Sequence, residues 1–332
     1  MGLTRRAVLA GVVAARPAVA AEVIRLGLLK TLSPAPFYLA QEFGYFADEG
    51  VAVEFRFFQA AQPIAAAAVA GDIDVGVTAL PGGFFSLAGK GALKVIGGAL
   101  HEQKGFELTA ILVSRLAFEA GVTSVAKLAG RSFGITQYGS SFHYMIGRIA
   151  EGAGFDLKSV TLRPLQDIGN MMAAVRSGAV DATMAIASQA RPAEASGEAR
   201  IIAWVGDLVS YQITALFAAR PMLGRGEALR RFCRAYQRGV AAYRAAFLAF
   251  EAGRPIRSAA TEAAIAAIRR YVFTSDADAA GKILAGIGWY DEGAALDVAD
   301  VAAQLAWFRG QGMVKEAIEA GDIIEAGYLP RR

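Results

Sequence analysis

The sequence of 332 residues predicts an α/β protein with two lobes. Three observations predict this class. Residues 24–79 match residues 131–186 at a constant offset of 107 positions, each copy alternates apolar strands with helices, and the residues from 227 onward have helical periodicity. Hydrophobic residues make up 55% of the chain, which is enough to bury a core in each lobe.

The two copies of the repeat align without a gap. Five identical pairs stand out: Gly27 and Gly134, Arg56 and Arg163, Gln59 and Gln166, Gly71 and Gly178, Asp74 and Asp181. Each copy predicts a strand, a helix, a second strand, a second helix that ends at its glycine, and a third strand. Such a βαβαβ unit implies a parallel sheet with right-handed crossovers, so two copies predict two sheets. Asp74 and Asp181 begin their third strands, where we expect a structural role.

The residues outside the repeat predict how the lobes are connected. A strand at 108–114 is expected to carry the chain into the second lobe, and a strand at 211–217 to return it. We therefore assign residues 21–112 and 213–332 to lobe 1 and residues 113–212 to lobe 2, with a hinge between them. Apolar residues at spacings of three and four predict C-terminal helices at 227–251, 258–273 and 298–310.

Residues 1–20 predict a secretory signal peptide that is cleaved near Ala20. Arg5 and Arg6 precede nine apolar residues, which are too few to span a bilayer, and Ala18-Val19-Ala20 has the small residues of a cleavage site. The arginine pair also matches a twin-arginine export signal. The alternative is a buried N-terminal helix. We expect an exported protein.

The charge balance gives no indication of nucleic-acid binding. Three of the 34 basic residues fall in the first twenty positions, which carry no acid, so the rest of the chain has 31 basic and 30 acidic side chains. The single cysteine, Cys233, excludes a disulfide framework.

Ligands of open parallel sheets bind beyond the carboxyl ends of the strands, where loops lead into helices. In lobe 1, we expect Ser33 to cap the first helix as well as to contact the ligand. The contacts expected from lobe 1 are Thr31, Ser33, Pro34, Phe37, Gln59, Thr78 and Ala79. In lobe 2, free N–H groups at a helix start and the small Gly139 predict an anion site. The contacts expected from lobe 2 are Tyr138, Gly139, Ser140, Ser141, His143, Asp167, Ile186 and Ser188.

Motifs of catalysis and of metal binding are missing from the sequence. The chain has two histidines, one cysteine, no HExxH, no GxSxG and no GxxxxGK[ST] segment. We predict no catalytic residue, no metal and no cofactor.

Several segments resemble the periplasmic solute-binding proteins of ABC importers. Phe37-Tyr38-Leu39-Ala40, Gly44-Tyr45-Phe46 with Glu49-Gly50-Val51, Gly71-Asp72-Ile73-Asp74 and Gly139-Ser140-Ser141 are similar to the nitrate, sulfonate, taurine and thiamine-pyrimidine group. The resemblance implies the type II periplasmic-binding-protein fold, with two hinge crossovers and C-terminal helices on lobe 1. It also implies a periplasmic monomer that captures a small solute by hinge closure and delivers it to an inner-membrane permease, and we expect this solute to be a small organic anion such as an aliphatic sulfonate or taurine.

The resemblance leaves the ligand open. Neutral N–H donors suit a sulfonate or carboxylate but also permit an uncharged heterocycle, and Asp167 would tolerate an amine, so taurine and an aminopyrimidine both remain candidates. The related pyrimidine synthases carry a cysteine-rich motif and a consumed histidine, and this sequence has no such cluster. An enzyme on the same fold and a periplasmic sensor module are the alternatives of other classes.

Overall fold

The computed structural model describes residues 22–251, 254–315 and 317–332. The predicted signal peptide lies outside these residues. Among the described residues, none of the helices combines the length and the apolar character that a bilayer crossing requires.

The first part of the chain forms a βαβαβ unit whose three strands run parallel. The unit is followed by one helix and two strands. The elements are β1 (Glu22–Leu29), α1 (Ala35–Glu42), α2 (Tyr45–Asp48), β2 (Val51–Phe58), α3 (Ala61–Ala70), β3 (Val75–Thr78), α4 (Gly82–Gly89), β4 (Leu93–Gly98) and β5 (Leu100–Glu102).

The second lobe contains the other repeat copy. Its elements are β6 (Thr109–Ser114), α5 (Arg115–Glu119), β7 (Ser132–Ile135), α6 (Ser141–Ala153), β8 (Thr161–Pro164), α7 (Ile168–Ser177), β9 (Ala182–Ile186), α8 (Ala187–Ala195), β10 (Ala199–Trp204) and α9 (Val205–Leu208), with 3-10 helices at Val125–Leu128 and Leu157–Ser159. The strand order is β10-β6-β9-β7-β8. The expected lobe boundary between residues 112 and 113 falls inside β6, which pairs only with β9 and β10 of this sheet.

The last part of the chain returns to the first lobe. Its elements are β11 (Tyr211–Gln212), β12 (Ala215–Ala219), α10 (Arg220–Leu223), α11 (Gly226–Phe247), β13 (Phe250–Glu251), β14 (Arg254–Pro255), α12 (Ala259–Ile268), α13 (Ala279–Ala285), β15 (Trp289–Tyr290), a 3-10 helix at Glu292–Ala294, α14 (Val298–Gly310) and α15 (Ala320–Ile323). Strand β12 inserts antiparallel between β3 and β4 and gives the order β2-β1-β3-β12-β4. The helix predicted at 298–310 is confirmed.

The single strand predicted at 211–217 is wrong, because the chain divides there between two sheets. Thr214 exchanges backbone hydrogen bonds with Ala99 and Leu100 at 3.1 Å, in the gap between β4 and β5. The residues before Thr214 pair with β5, and those after it join β3 and β4. Alternating hydrophobicity cannot reveal such a change of partner, since both halves are buried.

The repeat is reproduced in the backbone. Helices α3 and α7 occupy residues 61–70 and 168–177, which coincide at the offset of 107. Each ends at a glycine in the left-handed region, Gly71 with φ of 83° and Gly178 with φ of 76°. The prediction that these glycines end the second helix of each copy is confirmed.

Two segments connect the lobes, and they pair with each other. Strands β5 and β11 lie antiparallel, with Glu102 opposite Tyr211, and β15 completes a three-stranded sheet. Helix α14 also contacts both lobes, because the ring of Phe308 lies 5.8 Å from that of Phe85 on α4 and 5.9 Å from that of Tyr144 on α6. The two lobes therefore share a connecting sheet and one packed helix.

Candidate functional site

A cavity of about 130 Å³ lies between the two lobes. This volume is roughly ten times what one buried water needs, so the cavity suits a small solute. Eight of the fifteen predicted site residues line it: Thr31, Ser33, Gln59, Thr78, Ala79, Ser140, Ser141 and Ile186. The cavity thus adjoins the carboxyl ends of β1, β2, β3 and their counterparts, where the sequence predicts the site.

Two predicted lobe 1 contacts do not line the cavity. Phe37 is fully buried in the core, with its ring stacked 4.0 Å from that of Tyr236. Pro34 is the N-cap of α1, so the expectation that Ser33 caps this helix is wrong. The helix begins at Ala35, which leaves Ser33 in the preceding loop, where its carbonyl accepts the hydroxyl of Tyr290.

Gly139 and His143 form a structural contact rather than part of the cavity wall. The Gly139 N–H donates to Nδ1 of His143 at 3.1 Å, and its carbonyl accepts the N–H of Gly82 from lobe 1 at 2.9 Å. Gly139 has φ of 78°, which favours glycine. Burial lowers the pKa of His143 to about 4, so the ring is neutral and Nδ1 can accept. The expectation that Gly139 offers a free N–H to an anion is wrong.

Three other predicted residues of lobe 2 also lie away from the cavity wall. Tyr138 is 57% exposed, and its hydroxyl donates to the Leu162 carbonyl at 3.4 Å. Asp167 caps α7 by accepting the N–H of Asn170 at 2.8 Å, so its carboxylate serves the helix. Ser188 is buried next to α13, with a hydroxyl that has no partner among the described residues.

Seventeen residues that line the cavity were not predicted. Five are polar: Gln62, Thr109, Thr136, Gln137 and Thr214. Twelve have small or apolar side chains: Leu29, Leu32, Ala60, Ala61, Pro81, Leu100, Leu108, Phe142, Met145, Ile168, Ile213 and Gly286. Gln62 and Gln137 adjoin predicted loops and could have been included. Thr109 and Thr214 lie in the segments that connect the lobes, and Gly286 lies in the loop after α13. The local sequence gives no signal that these residues line a cavity.

The cavity wall is uncharged. Among the described residues that line it there is no Asp, Glu, Lys, Arg, His or Cys. Thr78 is 2% exposed, and its hydroxyl has no partner within the described part of the chain. A buried hydroxyl without a partner costs free energy unless a ligand supplies one. Thr78 is therefore a candidate ligand contact.

Two helix starts, one from each lobe, open into the cavity. Helix α3 has Ala60 as its N-cap, which offers no side-chain acceptor, and Pro63 in its first turn has no N–H. The N–H groups of Ala61 and Gln62 have no acceptor among the described residues. Ala60, Ala61 and Gln62 all line the cavity.

Helix α6 provides the matching donors in lobe 2. The Ser140 hydroxyl accepts the N–H of His143 at 3.4 Å and so caps the third residue of the helix. The N–H groups of Ser141 and Phe142 remain without an acceptor in the described structure. Four orphan donors and two helix dipoles therefore surround the same uncharged space.

No group of three or more His, Cys, Asp or Glu side chains that could hold a metal ion occurs within residues 22–251, 254–315 and 317–332. The buried Cys233 lies in α11, away from the cavity.

Solved structures share the fold over most of the chain. The alkanesulfonate-binding protein SsuA from Xanthomonas axonopodis pv. citri, bound to MOPS, is 18% identical, with 96% of this chain and 100% of that chain covered and a TM-score of 0.71. The periplasmic nitrate-binding protein NrtA from Synechocystis PCC 6803 is 13% identical, with coverage of 94% and 86% and a TM-score of 0.70. A mutant of DszB in complex with biphenyl-2-sulfinic acid is 13% identical, with coverage of 93% and 97% and a TM-score of 0.58. The chain thus has the type II periplasmic-binding-protein fold.

No protein with a curated description matches the sequence. The model of the NMT1/THI5 like family matches residues 32–246, which is more than half of the chain and includes the second repeat copy and most of the first. The protein belongs to the NMT1/THI5 like family.

Proposed function

We propose that the protein is the extracytoplasmic solute-binding component of an ABC importer, and that its ligand is a small organic sulfonate with an apolar substituent. The family, the fold and the likeness to SsuA and NrtA support the general role. The sulfonate assignment is based on one observation: the first turns of α3 and α6 have backbone N–H groups without an acceptor among the described residues, and both turns adjoin one uncharged cavity.

The helix starts favour a single negative charge. Each carries about half a unit of positive charge, and their free N–H groups are directional donors to an oxyanion. A sulfonate has three acceptor oxygens and one delocalised charge, so it can accept from Ala61 and Gln62 on one side and from Ser141 and Phe142 on the other. No counter-ion from a lysine or arginine is needed for such a ligand.

The rest of the wall favours an apolar substituent. Leu32, Leu100, Leu108, Met145 and Ile186 provide an aliphatic surface, and burial of a ligand's methylene groups there would stabilise the complex by about 0.8 kcal/mol each. A buried ammonium group would find no carboxylate, because Asp167 caps α7 instead. Taurine should therefore bind more weakly than an alkanesulfonate of similar length.

Binding is coupled to the approach of the lobes in this proposal. The described structure has the lobes in contact through the bond from Gly82 to Gly139 at 2.9 Å. An anion that bridges α3 and α6 binds this arrangement better than a separated one, and only such differential affinity shifts the population toward closure. The closed form would then be recognised by a permease in the inner membrane, with the protein acting as a periplasmic monomer.

Two other functions are tested by the same experiment. A thiamine-precursor pyrimidine or another heterocycle is favoured by the three glutamines of the wall, Gln59, Gln62 and Gln137, which can both donate and accept hydrogen bonds. An enzyme is the alternative of another class, in view of the DszB likeness. The described cavity wall lacks a thiol, an imidazole and a carboxylate, so the proposal assigns no catalytic step.

The experiment is calorimetric titration of the mature protein with alkanesulfonates of increasing length, taurine, nitrate, an aminopyrimidine and an aryl sulfinate. We expect affinity to rise with alkyl length and taurine to bind least among the sulfonates. Tight binding of the pyrimidine with no response to any sulfonate would replace the ligand assignment. Conversion of the sulfinate to a new product would overturn the binding-only role.

Proline variants test the donors directly. Proline fits the first residue of a helix and removes one backbone N–H, and at position 141 it also removes the serine hydroxyl, so Ser141→Ala is measured beside it. Ser140 and Ala60 both have extended backbone angles that tolerate a following proline. Ser141→Pro and Ala61→Pro should each weaken sulfonate binding by about ten- to a hundredfold, since a hydrogen bond to a charged group contributes about 1.5–3 kcal/mol.

The matched control is Ala259→Pro, at the first residue of α12. Its N-cap Ser258 is also extended, and α12 does not line the cavity. Sulfonate affinity should be unchanged in this variant. If all three variants bind the sulfonate as the parent protein does, the helix starts do not hold the anion.

A further inference from the structure

Glu102 lies at the hinge, and its side chain is 0% exposed. The residue ends β5, just before the chain enters the second lobe, and it stands opposite Tyr211 on the strand by which the chain returns. Both connections between the lobes thus pass this point. A titratable group here is sensitive to the relative position of the lobes.

The Glu102 carboxyl group is buried without a charged partner. Neither of its oxygens has a hydrogen bond of ordinary geometry among the described residues, although the hydroxyl and backbone N–H of Thr109 act on it as donors, and the hydroxyl of the facing Tyr211 has no partner there. An ionised carboxylate without a partner or counter-ion is strongly disfavoured in a protein interior, whereas the neutral acid is tolerated. Burial raises the pKa of Glu102 to about 8, and the polar groups of Thr109 offset only part of this rise.

The groups around this carboxyl provide no compensating positive charge. Tyr211 on β11 faces it, and Asp300 on α14 and Tyr144 on α6 act on Tyr211 in turn. Arg148 on α6 donates to the hydroxyl of Tyr144 and forms an ion pair with Glu151 at 2.9 Å. His101 on the same strand lies within ion-pair distance of Asp297 and 2.8 Å from a guanidinium nitrogen of Arg332, which itself pairs with Asp297 at 3.1 Å.

The second lobe closes the space around Glu102. Thr109 is on β6, and the ring of Tyr144 from α6 lies 5.2 Å from that of Tyr211. If the second lobe moves away, we expect these groups to withdraw from β5 and β11, so that water reaches the carboxyl. The ionised form is then solvated.

We propose that Glu102 is a proton-binding site coupled to ligand capture: it holds a proton in the closed, solute-loaded form and releases it when the lobes open. This inference rests on the proposed function, because it needs a solute that closes the cleft. The proton and the solute bind the same conformation, so each raises the affinity of the other.

The sign follows from the direction of the pKa change. The ordinary pKa of a glutamate side chain is 4.5, and the pKa of the buried Glu102 is about 8. Between pH 4.5 and pH 8, closure therefore takes up a proton, and solute affinity falls as pH rises. Below about pH 4.5 the acid is neutral in both forms, and above about pH 8 it is ionised in both, so affinity is constant there. The steepest dependence is about tenfold per pH unit.

The test is titration calorimetry with 1-octanesulfonate at pH 6 and pH 8, in phosphate and in imidazole, which both buffer in this range and whose ionisation heats differ. We expect uptake of up to one proton per bound sulfonate and tighter binding at pH 6. Glu102→Gln, which resembles the neutral acid, should bind equally at both pH values and take up no proton. Glu107→Gln on the same connection, where the side chain is 52% exposed and paired with Arg191, is the matched control and should behave as the parent protein.

Scattering of the ligand-free protein separates this inference from the identity of the solute. The radius of gyration should be larger at pH 8.5 than at pH 6 in the parent protein and equal at both in Glu102→Gln. Glu102→Met, which also cannot ionise, provides the same comparison if the glutamine variant folds poorly. Failure of octanesulfonate to bind, with this pH-dependent opening intact, would reject the sulfonate alone. Equal pH dependence of the parent and both Glu102 variants would overturn the coupling.

Discussion

The carboxylate of Asp74 accepts the backbone N–H of Arg25 at 2.8 Å. In the other lobe, Asp181 accepts the backbone N–H of Ser132 at 2.8 Å. The partners are 49 residues apart in both cases. Each aspartate thus ties the start of a third strand to the first strand of its lobe, which agrees with the structural role expected for this pair.

The two aspartates should differ in their contribution to stability. Asp74 also accepts the guanidinium of Arg25 at 2.9 and 3.0 Å, whereas Asp181 accepts only the N–H and hydroxyl of Ser132. We expect Asp74→Asn to lower the free energy of unfolding by about 1.5–3 kcal/mol and Asp181→Asn by about 1 kcal/mol. Urea denaturation at pH 7 measures both. A larger loss in Asp181→Asn would contradict this ranking.

The Asp74 contribution should also depend on pH. Burial alone would raise the pKa of Asp74, but the hydrogen bonds and charge of Arg25 outweigh it and lower the pKa below 3.8. Its contribution to stability is therefore present above the ordinary value and is lost as pH falls through the lowered one. The difference between parent and Asp74→Asn should shrink in urea melts below pH 3.

Thr78→Val tests whether the orphan hydroxyl contacts the ligand. Valine has nearly the shape of threonine, and removal of a buried hydroxyl with no partner should leave the ligand-free protein as stable or slightly more stable. If a sulfonate oxygen accepts from Thr78, its affinity should fall by about five- to thirtyfold, for a loss of about 1–2 kcal/mol. Calorimetric titration and a ligand-free melt separate the two effects. Unchanged affinity would remove Thr78 from the site.

Gly147 determines how closely helix α14 approaches the second lobe. A Cβ at this position would lie 2.2 Å from the Trp307 ring, so Gly147→Ala requires the tryptophan to move. We expect a loss of about 1–3 kcal/mol in the free energy of unfolding and a shift in tryptophan fluorescence.

Gly152→Ala is the control for Gly147→Ala, because both glycines lie in helix α6. A Cβ at Gly152 has no neighbour within 4 Å, so the substitution should stabilise the protein by about 0.5–1 kcal/mol through helix propensity. Similar stability of the two alanine variants would show that α14 does not pack as described.

His143 should make stability fall in mild acid. Burial lowers its pKa from 6.5 to about 4, so its neutral form contributes fully above about pH 6.5 and the contribution is lost as pH falls toward 4. The change is about 3 kcal/mol. His143→Asn, which keeps an acceptor but does not titrate, should lack this component in urea melts at pH 7 and pH 4.5. Parallel pH profiles of the two proteins would contradict this account.

Part of the cavity wall was predictable from the sequence because the repeat places equivalent loops at equivalent strand ends. Thr31, Ser33, Ser140 and Ser141 follow from that geometry alone. Three of the seven predicted residues that do not line the cavity share one cause. Gly139, His143 and Asp167 all lie in the correct loops, but their polar groups are used by neighbouring backbone groups, and only coordinates reveal such partners.

The two-sheet architecture is encoded locally. Its signals lie within continuous segments of the repeat, so they can be found along the chain. They are the apolar alternation, the glycines that end helices at Gly71 and Gly178, and the paired aspartates. The anion site is different. Whether a first-turn N–H is free depends on the residue that caps the helix, and α3 with Ala60 and α6 with Ser140 belong to separate lobes. Their shared cavity, like the burial of Glu102 at the hinge, arises only when distant segments pack and exclude water.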